Sequence, residues 1–223
     1  MLNESDYNIE PTIQTTEARI CMTHRYKYTY TFKPAPHALL CIFFSILINL
    51  LGNSITSALH APIWINSIGT ILCSCLLGPV AGSITGVLSI VLFHLYTPSL
   101  WIYSISSIPI AFGISIFYQR TKLRDAFQLV CSGLMIMMIS AVITIPLNML
   151  LRNGYVGNIW GDALIDMLLQ NGNQKLYCSI LGQLFIELPD KILVVFLSHM
   201  ILKLFFILSA KMKRRCVKHE KKN

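Results

Sequence analysis

Residues 76–86 read LLGPVAGSITG, with glycines at 78, 82 and 86 and a proline directly after the first. Glycine is a poor helix-interior residue in water, and Gly-Pro is a chain-turning pair. Yet apolar, helix-compatible residues surround this stretch on both sides. Small residues four apart make sense where helices associate by close backbone approach, as they do in lipid. The stretch therefore reads as a tight turn at Gly78-Pro79 followed by a membrane helix, with Gly82 and Gly86 on its packing face. Pro79 suits the first position of that helix, where its missing N–H is not needed.

The surroundings support a membrane reading. The chain has 223 residues, is 54% hydrophobic and only 13% charged, against about 25% charged in soluble domains. Its mean hydropathy is +0.61. From 34 to 119 there is no Asp, Glu, Lys or Arg, and about 18 apolar residues already suffice for a spanning candidate. The net charge of +8 does not imply nucleic acid, because the basic residues sit in short clusters beside apolar runs, as in cytoplasmic loops.

The uncharged window is flanked by basic residues at both ends, so it crosses an even number of times. Two crossings would be too long and four fit. HAP at 60–62, GP at 78–79 and YTP at 96–98 divide it. Helices are expected at 36–59, 63–77, 79–95 and 99–119. A fifth follows over 126–150, and a sixth starts at Pro189 and ends near 210. Tails at 1–35 and 211–223, and a long outer segment at 151–188, complete the organisation. Arg19, Arg25, Lys27, Lys33, Arg120, Lys122, Arg124 and the basic residues from Lys203 onward fall on one side. That is fifteen of the 18 Lys and Arg residues, which predicts six transmembrane helices with both termini cytoplasmic. Trp64, Tyr96, Trp101 and Tyr118 suit interface depths. The first apolar run follows a polar tail of mixed charge and reads as a retained helix, not a signal peptide.

The seven cysteines show no zinc-type spacing and read as reduced, apolar-like residues. No HExxH, GxSxG or Walker motif is present. The sequence thus calls for no enzyme activity, metal or cofactor, and the chain does not itself hydrolyse ATP through such a site.

Polar residues inside spans are costly and often functional. The first helix carries Asn49, Asn53 and Thr56 on one face. The fifth carries Ser140, Thr144 and Asn148. Both stripes suit interhelical hydrogen bonding, with Asn148 at the ligand-facing end of its stripe. In the outer segment Asp162 and Asp166 lie four apart on a short helix, either a surface helix or a lid. ELPDKI (187–192) holds Glu187, Asp190 and Lys191. Adjacent helix positions diverge by about 100°, so Asp190 and Lys191 are not expected to pair simply. If YCSILGQLFI (177–186) is helical too, these charges lie below the surface and need partners or a ligand. Ala38, Ser45 and Gly52 form a stripe suited to packing or to docking a partner.

PIWINSIGTILCSCLLGPVAGSITGVLS (62–89), GDALIDMLL (161–169) and ELPDKILVVFLSHMI (187–201) together resemble the substrate-binding S component of energy-coupling factor (ECF) vitamin transporters, over roughly 38–208. The resemblance implies an all-α six-helix fold in a prokaryotic cell membrane and a vitamin or vitamin-like precursor bound near the outer face. It implies a transmembrane coupling protein and two cytosolic ATPases as partners. It also implies contact between small residues of the first helix (Ala38, Ser45, Gly52) and the coupling protein, and a toppling motion that a charge-free surface would ease. The family more often has an acid where this chain has Asn66. The expected ligand contacts are Trp64 by stacking, Asn66 and Asn148 by hydrogen bonds, and Asp162, Asp166, Glu187, Asp190 and Lys191 by polar or charge recognition. Thiazolium, pyrimidine, flavin and purine-like ligands all stay open. The rival reading is a membrane ligand sensor of similar fold.

Overall fold

Polarity along the first helix is inverted relative to a soluble protein. In a computed structural model of the chain, which describes residues 36–95, 98–123 and 125–220 with side chains as far as residue 207 (98 and 99 excepted), helix α1 spans Pro36–Ala58. Its buried face is Ala38, Ile42, Ser45, Asn49, Asn53 and Thr56. Its exposed face carries Leu39, Leu40, Phe43, Phe44, Leu47, Leu51 and Ile55. Water would not tolerate so large an apolar face, whereas hydrocarbon solvates it. The same inversion holds on α5, where Phe127, Val130, Met138 and Val142 point outward and Ser132, Ser140, Thr144 and Asn148 inward.

The other elements are α2 (Ile68–Leu76), α3 (Pro79–Phe93), a 3-10 helix (Pro98–Ser106), α4 (Ser107–Thr121), α5 (Ala126–Leu151), α6 (Ile159–Gln170) and α7 (Lys175–Glu220). The described fold is all-α. Three helical stretches are long and apolar enough to cross a membrane, namely Pro36–Ala58, Leu100–Thr121 and Ala126–Leu151, as in a multi-pass membrane protein. The tail 1–35, Tyr96 and Arg124 lie outside the described residues, as do the side chains of the basic residues beyond 207.

Helix α2 is the hub. It packs against α1, α3, α4 and α7, and Ile68–Cys75 are all buried. Ile71, Ile114, Ile136, Val194 and Val195 meet around it in the main apolar core. Gly78, at φ 98°, turns the chain between α2 and α3, and Pro79 opens α3. A Cβ on Gly82 would fall 1.9 Å from Ser74 Oγ, and one on Gly86 would fall 2.6 Å from Ser107 Cβ. These two positions let α3 close onto α2 and α4. Asn49 joins the same three-helix junction. Its amide donates to Thr70 and Ser89, both at 3.1 Å, and its Oδ1 accepts from Gly69 N at 2.7 Å.

Several expected boundaries are corrected. The second helix begins at Ile68, not 63: Ile65 adopts φ 45°, outside the helical range, and Trp64 O is taken by the Thr56 hydroxyl. The Asp190 carboxylate accepts from Trp64 N and Ile65 N and holds this non-helical segment. The fourth helix opens as a 3-10 turn. The last helix begins at Lys175, not Pro189, and continues to Glu220, beyond the expected end near 210. Pro189 lies inside it on the exposed side. The lost hydrogen bond is the kind that membrane helices tolerate.

Candidate functional site

Because α7 starts early, Gln183, Glu187 and Lys191 fall at successive four-residue intervals on one inward face of one helix. They meet the Ser140, Thr144 and Asn148 stripe of α5, which packs along α7. Between them lies a cavity of about 120 Å³. Its polar lining includes Asn53 of α1, Asn66 and Ser67 ahead of α2, His94, Tyr103 of the 3-10 helix and Arg152 after α5. Trp64, Ile90, Leu100, Ile110 and Val156 supply apolar and aromatic wall. One water needs about 10–15 Å³ on this measure, so the space suits a ligand of about ten non-hydrogen atoms.

The wall is a hydrogen-bonded ladder. Tyr103 OH donates to Asn148 Oδ1 at 2.7 Å, and Asn148 Nδ2 donates to Gln183 Oε1 at 2.7 Å. Gln183 Nε2 donates to Thr144 Oγ1 at 3.0 Å and to Glu187 Oε1 at 2.7 Å. Ser140 Oγ donates to the same Glu187 oxygen at 2.7 Å. Among the described residues, Glu187 Oε2 is buried with no partner, as is Asn53 Oδ1.

Lys191 and Asp190 form an ion pair at 2.7 Å, with side chains 5% and 0% exposed. This corrects the expectation that neighbours on a helix cannot pair: the long lysine stem folds back across the 100° between them. Asp190 does not line the cavity. Its Oδ1 accepts from Trp64 N at 3.0 Å and Ile65 N at 2.8 Å, and Thr56 Oγ1 donates to Trp64 O at 2.8 Å. Asp190 thereby positions the segment that brings Trp64 and Asn66 to the cavity.

The outer segment closes on itself. Asp162 accepts from Val156 N at 2.8 Å and Gly157 N at 3.0 Å. Arg152 Nη1 donates to Val156 O at 2.7 Å. Asp166 accepts from Tyr155 OH at 2.6 Å, and this bond holds the Tyr155 phenol above its ordinary range. Asn158 caps α6 by accepting from Trp160 N and reaches back to Ala61 O at 2.9 Å. Trp160 Nε1 donates to His60 O at 2.8 Å. The segment therefore forms part of the cavity wall and is tied to the α1–α2 connection.

Of the residues singled out in the sequence, Trp64, Asn66, Asn148, Glu187 and Lys191 line one cavity. Asp162 and Asp166 lie outside its lining and hold the loop. Ala38 and Ser45 are buried within the chain. Ser45 receives the Cys73 thiol at 3.2 Å, and a Cβ on Gly52 would fall 2.2 Å from Ile65 O. All three residues of that stripe are occupied by internal packing. Gln183, Tyr103, His94 and Arg152 were not foreseen. Gln183 could have been found by extending the four-residue spacing of Glu187 and Lys191 backward, but the other three carry no such pattern. Among the described residues no group of three His, Cys, Asp or Glu side chains is placed to hold a metal, and Cys41, Cys73, Cys75, Cys131 and Cys178 are in no disulfide.

Compared with protein-family models, characterised proteins and solved structures, the chain matches none of them.

Proposed function

We propose that the chain is a membrane-embedded substrate-binding subunit for uptake of a vitamin-like compound, of the S-component type. It would work with a transmembrane coupling protein and two cytosolic ATPases in a prokaryotic plasma membrane. The supporting observation is the cavity walled by the Tyr103–Asn148–Gln183–Glu187 ladder inside a bundle whose outer faces are apolar. Polar side chains at that depth are costly unless they serve a ligand or each other, and this ladder leaves a carboxylate oxygen unserved. In this reading the chain crosses six times. The second crossing is completed by the irregular 62–67 segment, which is tolerable because protein buries it. Trp64, Asn66, Asn148, Glu187 and Lys191 contact the ligand, while Asp190, Asp162 and Asp166 position the segments that carry such contacts. The coupling protein docks on the exposed face of α1, not on Ala38, Ser45 and Gly52.

The test is co-expression of the tagged chain with a coupling protein and its ATPases, followed by mild-detergent extraction. Stoichiometric co-purification and ATP-dependent uptake are expected, and absence of association would sink the proposal. A sensor reading is favoured by one observation: α7 carries Gln183, Glu187 and Lys191 and runs unbroken to Glu220, linking cavity to tail. That reading predicts a ligand response without any ATPase.

A further inference from the structure

Glu187 is a buried carboxyl group that the fold satisfies on one side only. The residue is 3% exposed. Oε1 accepts from Ser140 and Gln183, while Oε2 has no donor among the described residues. The neighbouring Lys191 gives one of its three N–H donors to Asp190. Asp190 is itself satisfied by that lysine and two backbone N–H groups. Arg152 directs Nη1 to Val156 O. Asn53, buried and lining the same cavity, also presents an oxygen without a donor. Two buried acceptors on one cavity thus lack donors among the described residues, and a buried polar atom without a partner is costly.

We infer that the ligand is a small, flat nitrogen base with an amidine-type edge, whose adjacent N–H groups meet Glu187 Oε2 and supply a donor for Asn53 Oδ1. The rings of Trp64 and Tyr103 and the side chains of Ile90 and Ile110 give the flat body an apolar and aromatic wall. A carboxylate or phosphate ligand would bring acceptors, not donors, to Glu187 Oε2 and Asn53 Oδ1. This inference rests on the cavity being the substrate site, as proposed above, and narrows the ligands left open by sequence to nitrogen bases.

The experiment uses the full chain in mild detergent at neutral pH and constant ionic strength. Benzamidine, benzamide and benzoate serve as probes of matched shape, with sodium chloride as the cation control. Binding is read by titration calorimetry and by the thermal unfolding midpoint. Benzamidine is expected to bind at least tenfold more tightly than benzamide or benzoate. Glu187→Gln should weaken it tenfold or more while leaving the midpoint of the empty protein nearly unchanged, because the amide keeps the shape and an oxygen for Ser140 and Gln183. Asn53→Ala should weaken it several-fold with Glu187 intact. Preference for benzoate, equal benzamidine binding by Glu187→Gln, the same midpoint shift from sodium alone, or no binding of any probe would each overturn the inference. A chain that recruits the coupling protein and ATPases yet prefers benzoate would keep the transport reading and lose this one.

Discussion

Replacing Asp190 by asparagine separates two jobs that one carboxylate performs. Oδ1 holds the N–H groups of Trp64 and Ile65, and Oδ2 neutralises Lys191. Asparagine keeps an oxygen for the backbone donors but turns an amide toward a buried ammonium. Removing one partner of a buried ion pair costs about 3–5 kcal/mol. For a chain of this size that lowers the unfolding midpoint by roughly 6–20 °C, at about 2–4 °C per kcal/mol. Asp190→Ala also strands two backbone donors at about 1–3 kcal/mol each, for a total of roughly 5–11 kcal/mol. That rivals the whole stability of a typical fold, about 5–15 kcal/mol, so this variant should fail to accumulate. The informative variant is Asp190→Asn combined with Lys191→Met, which removes the stranded cation. It should recover at least about 2 kcal/mol relative to the sum of the single changes, the signature of direct coupling. The assay is thermal unfolding of purified protein in one detergent, followed by circular dichroism. A penalty below about 1 kcal/mol for Asp190→Asn, or strict additivity in the double variant, would refute the assignment of Asp190 as counter-ion and clamp.

Other substitutions test separate parts of the bundle. Gly82→Ala places a Cβ 1.9 Å from Ser74 Oγ and should cost about 1–3 kcal/mol by overpacking, with Ser74→Ala relieving part of the loss in unfolding assays. Asn49→Ala removes bonds to Thr70, Ser89 and Gly69 N. It should lower stability by at least about 1–3 kcal/mol, the cost of one stranded donor, without changing probe binding, since Asn49 does not line the cavity. The Tyr155 phenol should titrate above 10.0, its ordinary value, because Asp166 accepts its proton. A raised pKa in the folded state means that the contribution of this bond is fully present below the ordinary value and is lost as pH rises through the raised one. Absorbance titration at alkaline pH, with Tyr155→Phe as the blank, should show a lower pKa in Asp166→Asn.

Most of the helical frame was legible because hydrocarbon imposes a crude rule: long apolar runs become helices, and charges mark their ends. The boundaries at 36, 79 and 126 follow from that rule and from Pro79. The errors lie where a distant side chain overrides local preference. Residues 63–67 look helical, but Asp190, more than 120 positions away, holds Trp64 N and Ile65 N in a non-helical segment. Pro189 looks like a helix start, but packing of α7 along α5 carries the helix through it. The pairing of Lys191 with Asp190 was missed because helix geometry fixes where Cα–Cβ bonds point, not where a four-carbon stem ends. The site was legible as stripes of polar residues, yet its membership depended on register across three helices.

Two of those stripes look alike in sequence and differ in kind. Asn49 and Asn148 both sit in polar runs of four-residue spacing, and each is about 1% exposed. Asn49 is closed off: its oxygen and amide are matched by Gly69, Thr70 and Ser89. Asn148 belongs to a chain of donors that ends at Glu187, where one oxygen remains unmatched beside a cavity. A closed network stabilises helix contacts, whereas an open one transfers its deficit to whatever fills the space. Composition and periodicity cannot separate these cases, because the distinction lies in the count of lone pairs against donors. It follows that converting Asn49, Thr70 and Ser89 together to apolar residues of matched shape should cost little beyond the one backbone donor left at Gly69 N, about 1–3 kcal/mol. The same exchange at Gln183 and Glu187 should leave the empty bundle stable and abolish its capacity for a nitrogen base.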